Sequence, residues 1–248
     1  MAPSELEKML QQDFDLMGNP CQKARRFEGS AEWDKFWGEL EGKRDDGCCL
    51  IYSLGDTSVS GGGKKGEGRR SRKKDFSRNV LLEKSLVRAA QIRINGSSKK
   101  RLDFNLKLGF RLKEKSRFGL KVMGILGEGD RLSIDLKDEQ VAKESHFDLV
   151  CRFVCFPGSD LMVNTLGHVG SKTSGSSCGF DSKVLQIGSG GEVHGRPQLE
   201  VMNRDVLAKH GFSVGRVPQG AMTYFRSRGL SVDVAEKLYI RGFLMGKE

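Results

Sequence analysis

The amino-acid sequence predicts a mainly β protein with a small helical unit at its C-terminus. Three observations carry that reading. Glycine supplies 32 of the 248 residues and proline only 5, a balance that suits many turns between strands. Short runs of alternating apolar and polar residues follow one another from about residue 80 to 160, the period of a half-buried strand. Over residues 217–248 the apolar spacing changes to that of a helix.

Residues 1–55 read as a mixed N-terminal region. Ser4 followed by Glu7 is a capping-box pattern ahead of Met9 and Leu10. Trp33, Phe36, Trp37 and Leu40 form a helical stripe, and residues 49–52 a short strand. Residues 56–78 read as a basic, disordered loop. Between Lys64 and Lys74 stand seven basic residues and one acid, without apolar periodicity. Residues 79–216 form the β body. Strand candidates are residues 91–94, 102–108, 118–125, 132–136 and 147–156, spaced as serial coils or meanders. Asn95-Gly96 is a hairpin signal, and no strict repeat of 20–50 residues stands out. Residues 199–206 alternate as a further strand. Residues 217–248 then read helix, turn, helix, with Ser231 as N-cap of the second helix and Asp233 and Glu236 near its positive end.

Charge and composition exclude several classes. Lys and Arg number 42 against 32 acids, a net charge of +10. No stretch reaches the ~18 apolar residues of a membrane helix, so no membrane role is expected. The acids Glu5, Glu7, Asp13 and Asp15 fit neither a secretory signal nor a transit peptide. Six dispersed cysteines do not make a secreted disulfide framework. The expected setting is an intracellular, reducing compartment.

Catalytic motifs fail on inspection. Gly61, Gly63 and Gly66 match a dinucleotide fingerprint, with no strand before and no apolar helix after. Residues 167–173 resemble a phosphate-binding loop, but Ser171 breaks the required Gly-Lys pair. No nucleophile elbow is present. Cys151 and Cys155 share a strand face about 13 Å apart and read as small core residues. Cys48 and Cys49 face opposite ways. Cys178, in a Ser/Gly-rich stretch, reads as an exposed loop thiol. No C-x-x-C pair exists, so this chain alone is not expected to hold a metal or Fe–S cluster. His210, beside Gly211, can ligate iron as neutral imidazole. The run from Lys64 to Lys74 can contact nucleic-acid phosphates, but it has no interleaved aromatics for base stacking.

One segment carries a family signature. Residues 197–243 hold Pro197, Leu199, Glu200, Asp205, Val206, His210, Gly211, Val214 and Gly215 in one ungapped register. Tyr224, Ser227, Arg228, Gly229, Ala235, Leu238, Gly242 and Phe243 continue it. This resembles the closing segment of the SufB/SufD family of iron–sulfur cluster assembly scaffolds, more the SufD branch. Ala208-Lys209 stands where the family commonly has Cys-Ser, and Phe212 where it has Ala. The resemblance implies a right-handed parallel β-helix over residues 79–216. It implies a non-enzymatic scaffold that pairs with a SufB-like subunit and docks a SufC-like ATPase through Tyr224, Phe225, Arg228, Leu238, Tyr239 and Phe243. His210 would be a ligand of a transient Fe–S cluster at the subunit interface, in the cytoplasm or a plastid or other organelle. The alternative is a Suf-derived structural subunit of a large basic RNA–protein assembly, without a cluster role.

Overall fold

The computed structural model describes residues 25–28, 32–41, 49–54, 74–85, 87–95, 101–189 and 191–245. The capping box at Ser4, the glycines 61, 63 and 66, Cys48 and most of the basic run lie outside them. Two short strands, β1 (Arg25–Glu28) and β2 (Cys49–Leu54), flank helix α1 (Trp33–Glu41). Ten strands follow: β3 (Lys74–Leu82), β4 (Val87–Asn95), β5 (Asp103–Leu112), β6 (Arg117–Leu126), β7 (Arg131–Gln140), β8 (His146–Cys155), β9 (Asp160–Val169), β10 (Ser176–Gln186), β11 (Glu192–Val201) and β12 (Val206–Arg216). Helices α2 (Gln219–Ser227) and α3 (Val232–Met245) close the described chain. The residues from Lys74 to Arg78, assigned to the loop for their charge, begin β3.

From β3 on, the chain winds as a solenoid. Alternate strands join a seven-stranded sheet, β1-β2-β4-β6-β8-β10-β12, and a five-stranded sheet, β11-β9-β7-β5-β3. Every pairing is parallel. The body is therefore a β-helix, as the family resemblance implied, and not a meander. Since β4 pairs with β2 and β6 while β5 belongs to the other sheet, these two strands form no hairpin; Gly96 itself lies outside the described residues. Likewise residues 199–206 are not one strand. β11 ends at Val201, and β12 begins at Val206 after a corner.

Alternation decides which side chains enter the core. In β5, Phe104, Leu106, Leu108, Phe110 and Leu112 are buried, while Lys107 and Arg111 are exposed. In-register stacking repeats this in each coil, so like residues pile up between the sheets. Phe147 of β8 lies 5.2 Å from Phe110, 5.9 Å from Phe118 and 6.0 Å from Phe180, ring centre to ring centre.

The corners carry a repeat that the sequence shows only faintly. From β3 on, strand partners within the solenoid lie 28 to 32 residues apart, as with Phe104 and Leu132 or Leu161 and Val193. Ser116, Ser145 and Ser176 occupy matching buried corner positions. Lys115 and Glu144 adopt left-handed backbone there (φ 59° and 55°). Each gives its N–H to the next coil, Lys115 to the Lys143 carbonyl (3.1 Å) and Glu144 to the Ser174 carbonyl (3.0 Å). Those bonds offset the steric cost of that backbone region. Gly129 and Gly158 mark the opposite corner (φ 78° each).

Candidate functional site

The two ends of the solenoid differ. At the N-terminal end, α1 inserts Trp33, Phe36 and Trp37 into the core. Trp33 meets Phe76 of β3 at 5.1 Å, and Trp37 meets Phe110 at 6.1 Å. This aromatic stripe closes the end where the five-stranded sheet stops at β3. At the other end, β11 and β12 are the last strands of their sheets, and no described residue covers them. Val193, Leu199, Val206 and Phe212 only partly fill the last core layer. Val201, Met202, Leu207 and Val214 are exposed, Leu207 by 79%.

His210 lies on this open rung. It is not beyond a strand but at the middle of β12, paired with Phe180 of β10. The pairing puts it on the interior-facing side of the edge strand, and it is exposed because no further coil covers it. Lys209 takes the opposite side, its stem lying with Asp148 over Gly179. Gly211 leaves open space, the nearest atom to an added Cβ being the Phe180 carbonyl oxygen at 4.0 Å. Phe212 turns inward over Gly195 of β11, where any larger residue would collide with its ring. Ala208 stands in register with Cys178.

The C-terminal helices lie on the outside of the seven-stranded sheet. Ile240 and Leu244 of α3 are buried against Met123, Ile125, Val154, Phe156, Leu185 and Ile187, with Tyr239 and Phe243 packed beside them. Ser231 caps α3, its Oγ accepting the Val234 N–H at 3.4 Å. Helix α2 buries none of its residues. Tyr224 and Leu238 are 57% and 42% exposed, and Phe225 is half-buried. The Arg228 guanidinium carbon lies 5.4 Å from the centre of the Tyr224 ring, within cation–π range. The six residues named from the resemblance therefore separate. Tyr239 and Phe243 hold α3 to the body, while Tyr224, Arg228 and Leu238 face outward.

The cysteines are less reactive than exposure would make them. Cys151 and Cys155 are buried on the interior face of β8; burial pushes both thiols up to about 12. Cys178 is not a loop thiol: it lies in β10, 1% exposed. There it meets a buried polar cluster that sequence reading missed. The Cys178 thiol donates to Asp138 Oδ2 at 3.4 Å, and Gln140 Nε2 donates to the same oxygen at 3.0 Å. Gln140 Nε2 also bonds the Ser177 carbonyl (2.7 Å), and its Oε1 accepts from Ser145 (3.2 Å). Asp138 Oδ1 has no hydrogen-bond partner. Burial pushes the Asp138 carboxyl up to about 7. The opposing Gly167 allows this approach, since a Cβ there would stand 2.8 Å from the Cys178 sulfur. Asp138 in an alternating strand, Lys137-Asp138-Glu139-Gln140, looks solvated; only its even position, shared with Leu132, Ile134 and Leu136, marks it as interior.

Residues 167–173 form the end of β9 and a corner, where Thr173 donates to the Gly170 carbonyl at 2.6 Å. Among the described residues no three His, Cys, Asp or Glu side chains are grouped to hold a metal ion. Among them also, no helix is long and apolar enough to cross a membrane.

Comparison with known proteins places this geometry. Residues 71–243 match the family described as SUF system FeS cluster assembly, SufBD core domain. Iron–sulfur cluster assembly protein SufD of Escherichia coli K12 is 34% identical over 82 residues, 33% of this chain and 18% of that protein. SufD of Bacillus subtilis 168 is 35% identical over 83 residues, 34% of this chain and 19% of that protein. SufB of the same bacterium is 20% identical over 122 residues, 49% of this chain and 26% of that protein. The aligned segment thus spans about a fifth of the length of each SufD relative, and the SufD matches run at higher identity than the SufB match.

Proposed function

The chain belongs to the SufBD family of iron–sulfur cluster assembly proteins, and from that premise we propose that it is a non-enzymatic scaffold subunit which pairs with a SufB-like subunit through its open rung. The observation that carries this is the asymmetry of the solenoid: α1 fills one end, while β11 and β12 end the other with unpaired backbone and exposed apolar side chains. An uncovered edge of this length is a template for strand addition. The pair would assemble its cluster, the cargo of the complex, at that junction. His210 offers one imidazole there, and the partner would supply thiolates. Catalysis of substrate turnover has no part in this reading. The setting is a reducing intracellular compartment, cytoplasm or plastid, in which Cys151, Cys155 and Cys178 stay as thiols.

His210→Ala is expected to leave folding and pairing unchanged and to weaken cluster retention in the reconstituted pair. Losing a direct ligand should cost at least the ~10–100-fold typical of losing a ligand's supporting partner. Iron and sulfide analysis of parent and variant complexes checks it; equal content would return His210 to a structural role.

The outward faces of α2 and α3 are the proposed site for a SufC-like ATPase. Removing both helices would uncover the apolar cluster around Val154 and Leu185, so substitution is the cleaner probe. The double change Tyr224→Glu and Leu238→Glu is expected to abolish co-purification of the ATPase with no change in circular dichroism. Undiminished co-purification would move the docking site elsewhere.

A further inference from the structure

The outer face of the five-stranded sheet carries a polar trough that the surfaces described above leave unused. It crosses all five strands and encloses about 670 Å³, within the range of small-molecule sites. Four strand spacings of about 4.8 Å make it roughly 19 Å long. In-register pairing builds its two walls. Lys107 of β5, Asp135 of β7 and Asn164 of β9 form one row, which Arg196 of β11 continues. Asn79 of β3, Gly109 of β5, Lys137 of β7, Leu166 of β9 and Gln198 of β11 form the other. Gly109 keeps the floor low: Asn79 Oδ1 lies over it, where any added Cβ would collide.

Beside the trough the charges are paired off; inside it they are not. In the next row along the strands, Arg111 lies 3.7 Å from Glu139, and His168 lies 3.1 Å from Glu200. Arg78, which also lines the trough, is held by Asp34 at 3.5 Å. Among the described residues no ion pair or hydrogen bond engages the side chains of Asn79, Lys107, Lys137 or Gln198. Asp135 is the single carboxylate of the lining, and its Oδ1 accepts from Asn164 Nδ2 at 2.7 Å. Asn105, two residues from Lys107 on the same face, is only 9% exposed. It gives Nδ2 to Asp75 at 3.0 Å, and its Oδ1 has no hydrogen-bond partner.

We propose that this trough binds a sugar phosphate. Lys107 and Lys137 stand diagonally on adjacent strands, about 8 Å apart at the backbone. From there two flexible ammonium groups can close on one phosphate. The amides of Asn79 and Gln198 each offer donors and an acceptor, and Asp135 and Asn105 add acceptors that require a donor. That set matches the hydroxyl groups of a sugar, each of which donates and accepts. Phosphate alone, or sugar alone, uses half of the trough. No aromatic side chain lines it, so a nucleobase finds no face on which to stack. The trough lies on the sheet opposite to α2 and α3, and the proposal does not depend on the open rung being the pairing surface.

Isothermal titration of the full chain tests this with ribose 5-phosphate, glucose 6-phosphate and trehalose 6-phosphate, which sample the length of the trough. Inorganic phosphate, glucose and hexathymidylate serve as comparisons. The best of the three sugar phosphates is expected to bind at least about tenfold more tightly than any comparison ligand. Lys107→Gln/Lys137→Gln should weaken it by about tenfold or more. Asn79→Ala/Gln198→Ala should weaken the sugar phosphate and leave inorganic phosphate unchanged. All four side chains are exposed, and circular dichroism checks the fold of each variant. Failure of all three sugar phosphates to bind below about 10 mM would overturn the proposal. So would undiminished binding by the lysine variant. Inorganic phosphate binding as tightly as the best sugar phosphate would reduce the trough to a simple anion site, and tighter binding of hexathymidylate would make it a nucleic-acid surface; either result overturns the assignment.

Discussion

Phe147→Ala is expected to lower the unfolding free energy by about 3–5 kcal/mol, the range for deleting a buried aromatic ring. Phe147 is 1% exposed and sits at the centre of a stack in which Phe110, Phe118 and Phe180 all approach it within 6.0 Å. These rings come from both sheets and from three successive coils, β5–β6, β8 and β10. A cavity there loses contact on every side, and the parallel ladders above and below prevent the coils from collapsing into it. Urea denaturation followed by circular dichroism measures the change. A loss under about 1 kcal/mol would mean that the stack can repack, since truncations of that size are then being absorbed.

Asp138→Asn is expected to destabilise the protein at pH 4 and stabilise it at pH 8. The Asp138 carboxyl ordinarily loses its proton near 3.8; desolvation, opposed by the bonds from Gln140 and Cys178, holds it to about 7. Between those values the folded chain keeps a proton that the unfolded chain releases. Stability therefore falls as pH rises from about 4 to 7, and the cost is complete above 7. At ~1.4 kcal/mol per unit the parent gives up of order 4 kcal/mol across that window. Asparagine keeps an acceptor for Gln140 and Cys178 but has no charge to bury, so its curve lacks this slope. Its amide places donors where Asp138 Oδ1 now has no partner, a fixed cost of about 1–3 kcal/mol. That cost governs at pH 4, and the removed charge governs at pH 8. Melting temperatures from pH 4 to 8 test the crossing; parallel curves for parent and variant would show that Asp138 ionises in the folded chain as it does unfolded.

Local chemistry alone determined a good part of this protein. The alternation in residues 102–108 named the interior face correctly, with Phe104, Leu106 and Leu108 buried, because a strand has two faces wherever it pairs; in residues 118–125 the outer face is covered as well, Met123 and Ile125 lying under α3. The stripe Trp33, Phe36, Trp37 marked α1, and Ser231 marked the start of α3, since both signals act within one or two turns. Cys151 and Cys155 read as core from their shared face, and the run from Pro197 to Phe243 carried the family resemblance.

What only the tertiary structure decided is which strand lies beside which. Period two is the same in a hairpin, a meander and a solenoid, so Asn95-Gly96 suggested a hairpin although β4 and β5 belong to different sheets. The coil repeat left its clearest marks at corners, Ser116 with Ser145 and Gly129 with Gly158, because many apolar residues serve at an interior strand position while the corners need particular ones. The corner before β12 has neither Gly nor Pro. Asn203 shapes it instead, donating to the Ser171 carbonyl at 3.0 Å and accepting the Asp205 N–H at 2.9 Å. Cys178 looked exposed among Ser and Gly, yet small residues are what the tight interior of a coil admits, and the stack of neighbouring rungs buried it. The same stacking decided His210. Its place on an open edge depends on β12 being the last strand of its sheet, a property of the whole winding that no local pattern encodes.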